Sequence, residues 1–111
     1  MQDLNFYLTD ELFFVAEINN KIVGLIFGEV LKGAGCLLWM LAVDSIYRKH
    51  DIGTKLLTYY ETVCKERGIE WIFLCAPDSA KRFYQKQNYS MGKKALFEGI
   101  KYLGTKDSER K

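Results

Sequence analysis

Two kinds of apolar pattern alternate along the chain, and the points where one gives way to the other mark its elements. From Phe13 to Ile18 the run FFVAEI is followed by Asn19 and Asn20, and then by IVGLIFGEVL from Ile22 to Leu31. Asparagine tolerates the positive φ of a tight turn, so this pattern predicts a β-hairpin. Residues 32–35, Lys-Gly-Ala-Gly, turn the chain into CLLWMLAV, Cys36 to Val43, an unbroken apolar run of the kind a strand covered on both faces shows. Beyond Asp44 the segment SIYRKHD is polar and basic. Apolar residues then recur at Ile52, Leu56, Leu57, Tyr60, Val63 and Cys64, the stripe of a helix ending near Gly68. Glu70 to Ala76, EWIFLCA, reads as a second strand buried on both faces. Cys36 to Ala76 is therefore a β-α-β unit whose strands are parallel and whose crossover is right-handed. Pro77 and Asp78 open a second helix marked by Ala80, Phe83, Tyr84 and Gln87, and Asn88 stops it. Leu96, Glu98, Ile100 and Tyr102 alternate along a closing strand of about eight residues, and the tail 104–111 is polar.

Composition narrows the partners. A chain of 111 residues, 49% hydrophobic, suffices for one compact core and is too short for two ordinary domains, so residues 1–111 read as a single domain. The 16 basic and 14 acidic residues are spread along the chain and leave a net charge of +2. No basic stripe for nucleic acid or an anionic membrane stands out, which points to a small molecule or a peptide group as partner. No apolar stretch approaches the roughly 20 residues of a membrane span. The opening MQDLNFYLTD has neither the basic flank nor the apolar core of a signal peptide. Cys36, Cys64 and Cys75 form no CxxC pair and sit in apolar runs, where sulfur acts as a small hydrophobe. This usage suits a reducing cytoplasm and no metal site.

The chemistry concentrates between Leu41 and Leu57, LAVDSIYRKHDIGTKLL, where a buried strand delivers the chain through a basic turn straight into an amphipathic helix. The free N–H groups and positive dipole end of such a helix make an anion site. Arg48, Lys49, His50 and Lys55 add positive charge, and Gly53 allows close backbone approach. A diphosphate suits this arrangement.

This stretch resembles the acetyl-CoA-binding motif of the GNAT family of N-acetyltransferases, R/Q-x-x-G-x-G/A between a strand and a helix, through Arg48, Gly53 and the following TKLL. Downstream, KRFYQKQNYS from Lys81 to Ser90 is similar to the family's FYxKxGF signature. The resemblance spans residues 13–103, and the order and spacing of the two motifs are more specific than either alone. It implies an α/β (α+β) fold: a mixed, mostly antiparallel sheet carrying a parallel β-α-β cofactor unit, with a shortened N-terminal region. It also implies acetyl-CoA as acetyl donor and a small-molecule amine or a protein amino group as acceptor. The backbone of Leu41, Ala42 and Val43 would pair with the pantetheine arm in a splayed gap between two strands. Arg48, Lys49, His50, Asp51, Ile52, Gly53 and Thr54 would hold the pyrophosphate. An N–H near Val43 would polarise the thioester carbonyl, and Tyr84 would protonate the departing thiolate.

Several residues depart from the family pattern. Asp51 replaces the first motif glycine, and a carboxylate there can cap the N–H groups a phosphate would use, which predicts weakened cofactor binding. Pro77 stands where the family often has Asn, and Asn88-Tyr89 replaces Gly-Phe. About a dozen residues precede the hairpin, where the family places a strand and two helices that shape the acceptor pocket. CLLWMLAV supplies no Glu or His as general base, leaving Glu29 or a water. Direct acetyl transfer to a primary amine is the leading expectation. The alternative is a degenerate GNAT domain acting as a CoA-binding or protein-interaction module, and a homodimer is a further candidate for covering apolar surface and completing the acceptor site. Trp39 and Trp71 read as core residues of adjacent strands, and Glu61, Lys65, Glu66 and Arg67 as a solvated helix face. His50 reads as a solvent-facing loop residue and Cys75 as an inert buried thiol.

Overall fold

The computed structural model describes residues 4–31, 35–91 and 97–102. Its strands are β1 (Leu4–Asp10), β2 (Phe13–Ile18), β3 (Lys21–Val30), β4 (Gly35–Val43), β5 (Trp71–Ala76), β6 (Ser90–Met91) and β7 (Phe97–Tyr102). The helices are α1 (Ile52–Glu66) and α2 (Asp78–Lys86), with a 3₁₀ segment over Ser45–His50. The strands form one seven-stranded sheet in the order β1-β2-β3-β4-β5-β7-β6. All neighbours are antiparallel except β4 and β5, which are parallel as the β-α-β reading requires. No helix among the described residues is long and apolar enough to cross a membrane.

Local chemistry accounts for the turns. Asn19 and Asn20 both take positive φ, 51° and 65°, the geometry in which a two-residue turn matches the twist of its strands. Gly68, at φ 80°, breaks α1, and the Ile69 N–H returns to the Cys64 carbonyl at 2.9 Å. Asn88, at φ 71°, ends α2 in the same left-handed region, which a short polar side chain enters at less cost than most.

Both helices lie on one face of the sheet. The apolar stripe of α1, Ile52, Leu56, Leu57, Tyr60 and Cys64, is buried against Phe14, Ala16, Ile26, Cys36 and Leu38 of β2 to β4. Phe14 meets the edges of Tyr59 and Tyr60, with centroids 5.2 and 6.0 Å apart. Beneath α1, Gly28 has no freedom to carry a side chain: a Cβ would strike the Tyr60 hydroxyl and lie 2.5 Å from the Leu37 carbonyl oxygen. The Cys36 and Cys64 sulfurs, 3.9 Å apart, are buried free thiols, as their apolar settings suggest. Contact with Cys36 and burial push the Cys64 thiol up and keep it unreactive.

Three expectations change. First, β4 and β5 are covered on one face only. Trp39, Met40, Trp71 and Phe73 are 56, 48, 38 and 38% exposed, so neither tryptophan is a core residue; they lie on adjacent strands, on a face where no described helix packs. An unbroken apolar run satisfies a buried and an open face equally, which is why the pattern misled. Second, Leu4–Asp10 forms an edge strand, with Phe6 stacked on Tyr59 of α1 at 5.1 Å. Third, Glu61 is no solvated charge: its Oε2 accepts the Tyr89 hydroxyl at 2.8 Å and the Lys101 ammonium at 3.0 Å. The closing strand β7 inserts between β5 and β6. Leu96, residues 32–34 and the tail 104–111 lie outside the described residues, as do the side chains of Cys75, Glu98, Ile100 and Tyr102.

Candidate functional site

The parallel pairing of β4 and β5 runs from Gly35–Trp71 to Leu38–Leu74 and goes no further. Beyond that point β4 continues to Val43 and β5 to Ala76, so the two strands splay and β4 presents an open edge. The cause lies in β4 itself: between the pairs Phe27–Met40 and Gly28–Leu38 it carries one extra residue, Trp39. A bulge of this kind bends its strand and increases the local twist.

The register also says which backbone groups face the gap. The Asp44 N–H bonds to the Val23 carbonyl at 2.8 Å, while Val43 lies opposite Gly24 and Leu41 opposite Ile26. In an antiparallel pair, hydrogen-bonded and non-bonded positions alternate. Leu41 and Val43 therefore turn their N–H and C=O groups away from β3 and into the gap. Arg48 confirms the direction, since its Nε donates to the Val43 carbonyl at 3.3 Å.

The basic turn is held at its entrance. The Asp44 side chain accepts the Ile46 N–H at 3.1 Å and lies 3.8 Å from the Lys21 ammonium, which also sits over the Tyr47 ring. The turn ends at Asp51, whose φ of 57° and ψ of 25° place it in the left-handed region where glycine is most at ease. Its carboxylate makes no capping bond to the helix. The first bond of α1 runs from the Lys55 N–H to the Asp51 carbonyl at 3.0 Å, so the N–H groups of Ile52, Gly53 and Thr54 have no partner four residues back. The expected competition by an Asp51 cap is thus absent in its hydrogen-bonded form, although the charge remains beside the helix start.

These features converge on one cleft of about 570 Å³, lined by Leu41, Ala42, Val43, Arg48, Asp51, Gly53, Thr54 and Tyr84 together with Pro77, Ser79, Ala80 and Phe83. Of the residues singled out from the sequence, Ile52 is fully buried in the core and offers only its backbone N–H. The Lys49 and His50 side chains lie outside the described residues. The α2 wall went unrecognised residue by residue, although its signal was present: the helical repeat that marked Ala80 and Phe83 also aims them at α1, where a Cβ on Gly53 would touch the Phe83 ring at 3.7 Å. Tyr84 is 7% exposed, packed against Phe83 and Tyr89. Burial pushes its phenol up to about 12, so it stays protonated and able to donate at neutral pH.

A splayed parallel pair, a bulged strand with an open edge, and a basic turn running into a helix start together make the frame of an acetyltransferase (GNAT) fold. The sequence agrees: residues 9–91 match the family described as an acetyltransferase (GNAT) domain, and the chain belongs to that family. The uncharacterized protein YxbD of Bacillus subtilis (strain 168) is 36% identical over 90 residues, 77% of this chain and 55% of the relative. The chain thus spans about half the length of the curated relative it matches. Among solved structures, a GNAT-family acetyltransferase from Staphylococcus aureus Mu50 superposes with a TM-score of 0.76 at 30% identity, over 83% of this chain and 67% of that one. The PaiA N-acetyltransferase of Thermoplasma acidophilum, solved with coenzyme A, gives 0.76 at 23% identity over 82% of this chain and 60% of its own. Naa50 of Arabidopsis thaliana, solved with the bisubstrate analogue CoA-Ac-MVNAL, gives 0.72 at 21% identity over 82% of this chain and 72% of its own. At these two identities the likeness is one of fold.

Proposed function

We propose that the chain transfers an acetyl group from acetyl-CoA to a primary amine by direct attack in a ternary complex. The observation that carries this reading is the single cleft that joins the open β4 edge, the α1 start and the Tyr84 phenol. Its parts fit such a donor: a strand edge whose N–H and C=O groups at Leu41 and Val43 face the gap suits an amide-bearing arm, and uncapped helix N–H groups beside Arg48 suit a diphosphate. Bound acetyl-CoA supplies a thioester: the amine nitrogen bonds to the acetyl carbon, the carbon–sulfur bond breaks, and with the thiol reprotonated one proton is released per turnover from an ammonium acceptor.

The residues divide the work. The gap-facing N–H of Val43 donates to the thioester carbonyl oxygen as it gains charge, and a fixed backbone donor does this without reorganisation, while the gap-facing backbone of Leu41 pairs with the amide-bearing arm. Arg48, Gly53 and Thr54 hold the diphosphate end. Tyr84 donates its proton to the departing sulfur. Phe83, Ala80 and Pro77 wall the gap with apolar surface and limit water beside the thioester.

Calorimetric titration with acetyl-CoA, using desulfo-CoA as control for the nucleotide end, tests the reading. Micromolar binding followed by amine-dependent thiol release supports it. No binding up to millimolar concentration would overturn it in favour of a non-catalytic interaction module.

A further inference from the structure

Resting on the proposed amine transfer, we infer that the helix-free face of the sheet carries a subsite for a second cationic group, so that the acceptor is an extended diamine. The carboxylate is Glu29 of β3. Its Oε1 accepts the indole N–H of Trp39, the bulge residue of β4, at 2.9 Å, which fixes the carboxylate and uses one of its several acceptor positions. Glu29 also borders a depression of about 250 Å³ whose walls include Phe13 and Phe27. Those rings lie 5.4 Å apart and tilted, side by side on neighbouring strands. A carboxylate beside aromatic faces is a receptor for an ammonium group. At the rim the Arg67 guanidinium donates to the Glu11 carbonyl.

Position ties this depression to the cleft. The cofactor cleft is walled by the helices on the covered face, so an acceptor reaches the gap from the opposite face. There Trp39 and Met40, 56 and 48% exposed, form an apolar track from the gap toward Glu29. Glu29 lies opposite Leu37, four residues along β4 from Leu41. At ~3.3 Å per residue, less the shortening at the bulge, this is on the order of 10–13 Å. That separation is too long for Glu29 to take a proton from the reacting amine. It suits the far ammonium of one extended molecule whose methylene chain crosses Trp39 and Met40. The transfer itself is unchanged: the near amine forms the N–C bond, the C–S bond breaks, and the far ammonium keeps its protons.

The test compares α,ω-diamines with n-alkylamines of equal length as acceptors for acetyl-CoA, and titrates octamethylenediamine into the chain calorimetrically, with and without desulfo-CoA. We expect kcat/KM for diamines to exceed that for monoamines about tenfold at an intermediate length. Glu29→Gln, which keeps the acceptor for the Trp39 indole and removes the charge, should erase that advantage and weaken diamine binding about tenfold. Equal kcat/KM for both classes at every length, or a diamine advantage that survives Glu29→Gln, overturns the inference. Acetyl-CoA binding without diamine binding removes the subsite and leaves the transfer reading standing. Glu29-dependent diamine binding without turnover does the reverse. A chain found by sedimentation to be a dimer that closes this face would also overturn the subsite.

Discussion

The two faces of the sheet come from the same strands and differ in what lies on them. On one, α1 and α2 bury Phe14, Ala16, Ile26, Leu38, Ile72 and Leu74, and their N-terminal ends form the mouth of the cleft. On the other, Trp39, Met40, Trp71 and Phe73 stay at least a third exposed, although they are as apolar as their neighbours. Stability and the proposed cofactor cleft therefore share the covered face, while the open face carries none of the burial that holds the fold together. A bulge at Trp39 links the two by opening a gap through the sheet.

The contrast is sharpest in stability. Phe14→Ala on the covered face should cost about 3–5 kcal/mol, and Met40→Ala on the open face about 0.5 kcal/mol, both read from urea unfolding. Equal costs would mean that the open face is covered in solution. Tyr84→Phe comes next: it should lower kcat about 100-fold while KM for acetyl-CoA stays nearly constant, because a donor to the leaving sulfur acts after the donor is bound. A matched fall in affinity would instead assign Tyr84 to packing.

Alkaline titration probes the same side chain. The Tyr84 phenol titrates at about 12 in the folded chain against 10.0 unfolded, because burial disfavours the phenolate. A raised folded pKa means that folding favours the protonated form, so this contribution is whole below pH 10 and is lost as the pH rises toward 12. The loss is about 3 kcal/mol. Tyr84→Phe should flatten that limb without removing it, since burial and the neighbouring Glu61 also push the Tyr89 phenol up. The smallest effect is at the helix start. Asp51→Gly removes a negative charge from the dipole end and relaxes a left-handed backbone, and should tighten acetyl-CoA binding about two- to fivefold, from ~0.3–1 kcal/mol. No tightening would show that the uncapped carboxylate is electrostatically indifferent.

Much of the fold was legible because local rules decided it. The Asn19-Asn20 turn, the α1 stripe, its end at Gly68 and the Asn88 stop each follow from the φ preference or spacing of a few residues. The parallel β4-β5 pair followed from a crossover long enough to contain a helix. Leu4–Asp10 was missed although Leu4, Phe6 and Leu8 alternate, because a short run beside a polar start carries a weak signal until Phe6 finds Tyr59. Glu61 was misjudged for a related reason: helix periodicity places it at a margin, and only the arrival of Tyr89 and Lys101 from distant segments makes it a junction.

By itself the sequence determined the order of elements, the turns and the covered stripe of α1, since each depends on neighbours within a few residues. It also marked Arg48 and Gly53 as candidates, because spacing between a strand and a helix is a property of the chain, and Tyr84 through the resemblance of KRFYQKQNYS to the family signature. Only the tertiary structure decided which face of β4 and β5 stays open, that β4 pairs with β5 as far as Leu38 and no further, and that Trp39 holds Glu29. A run of apolar residues records that a strand avoids water but not on how many sides. That number is set by where the helices pack, and packing is a relation between segments distant in the chain.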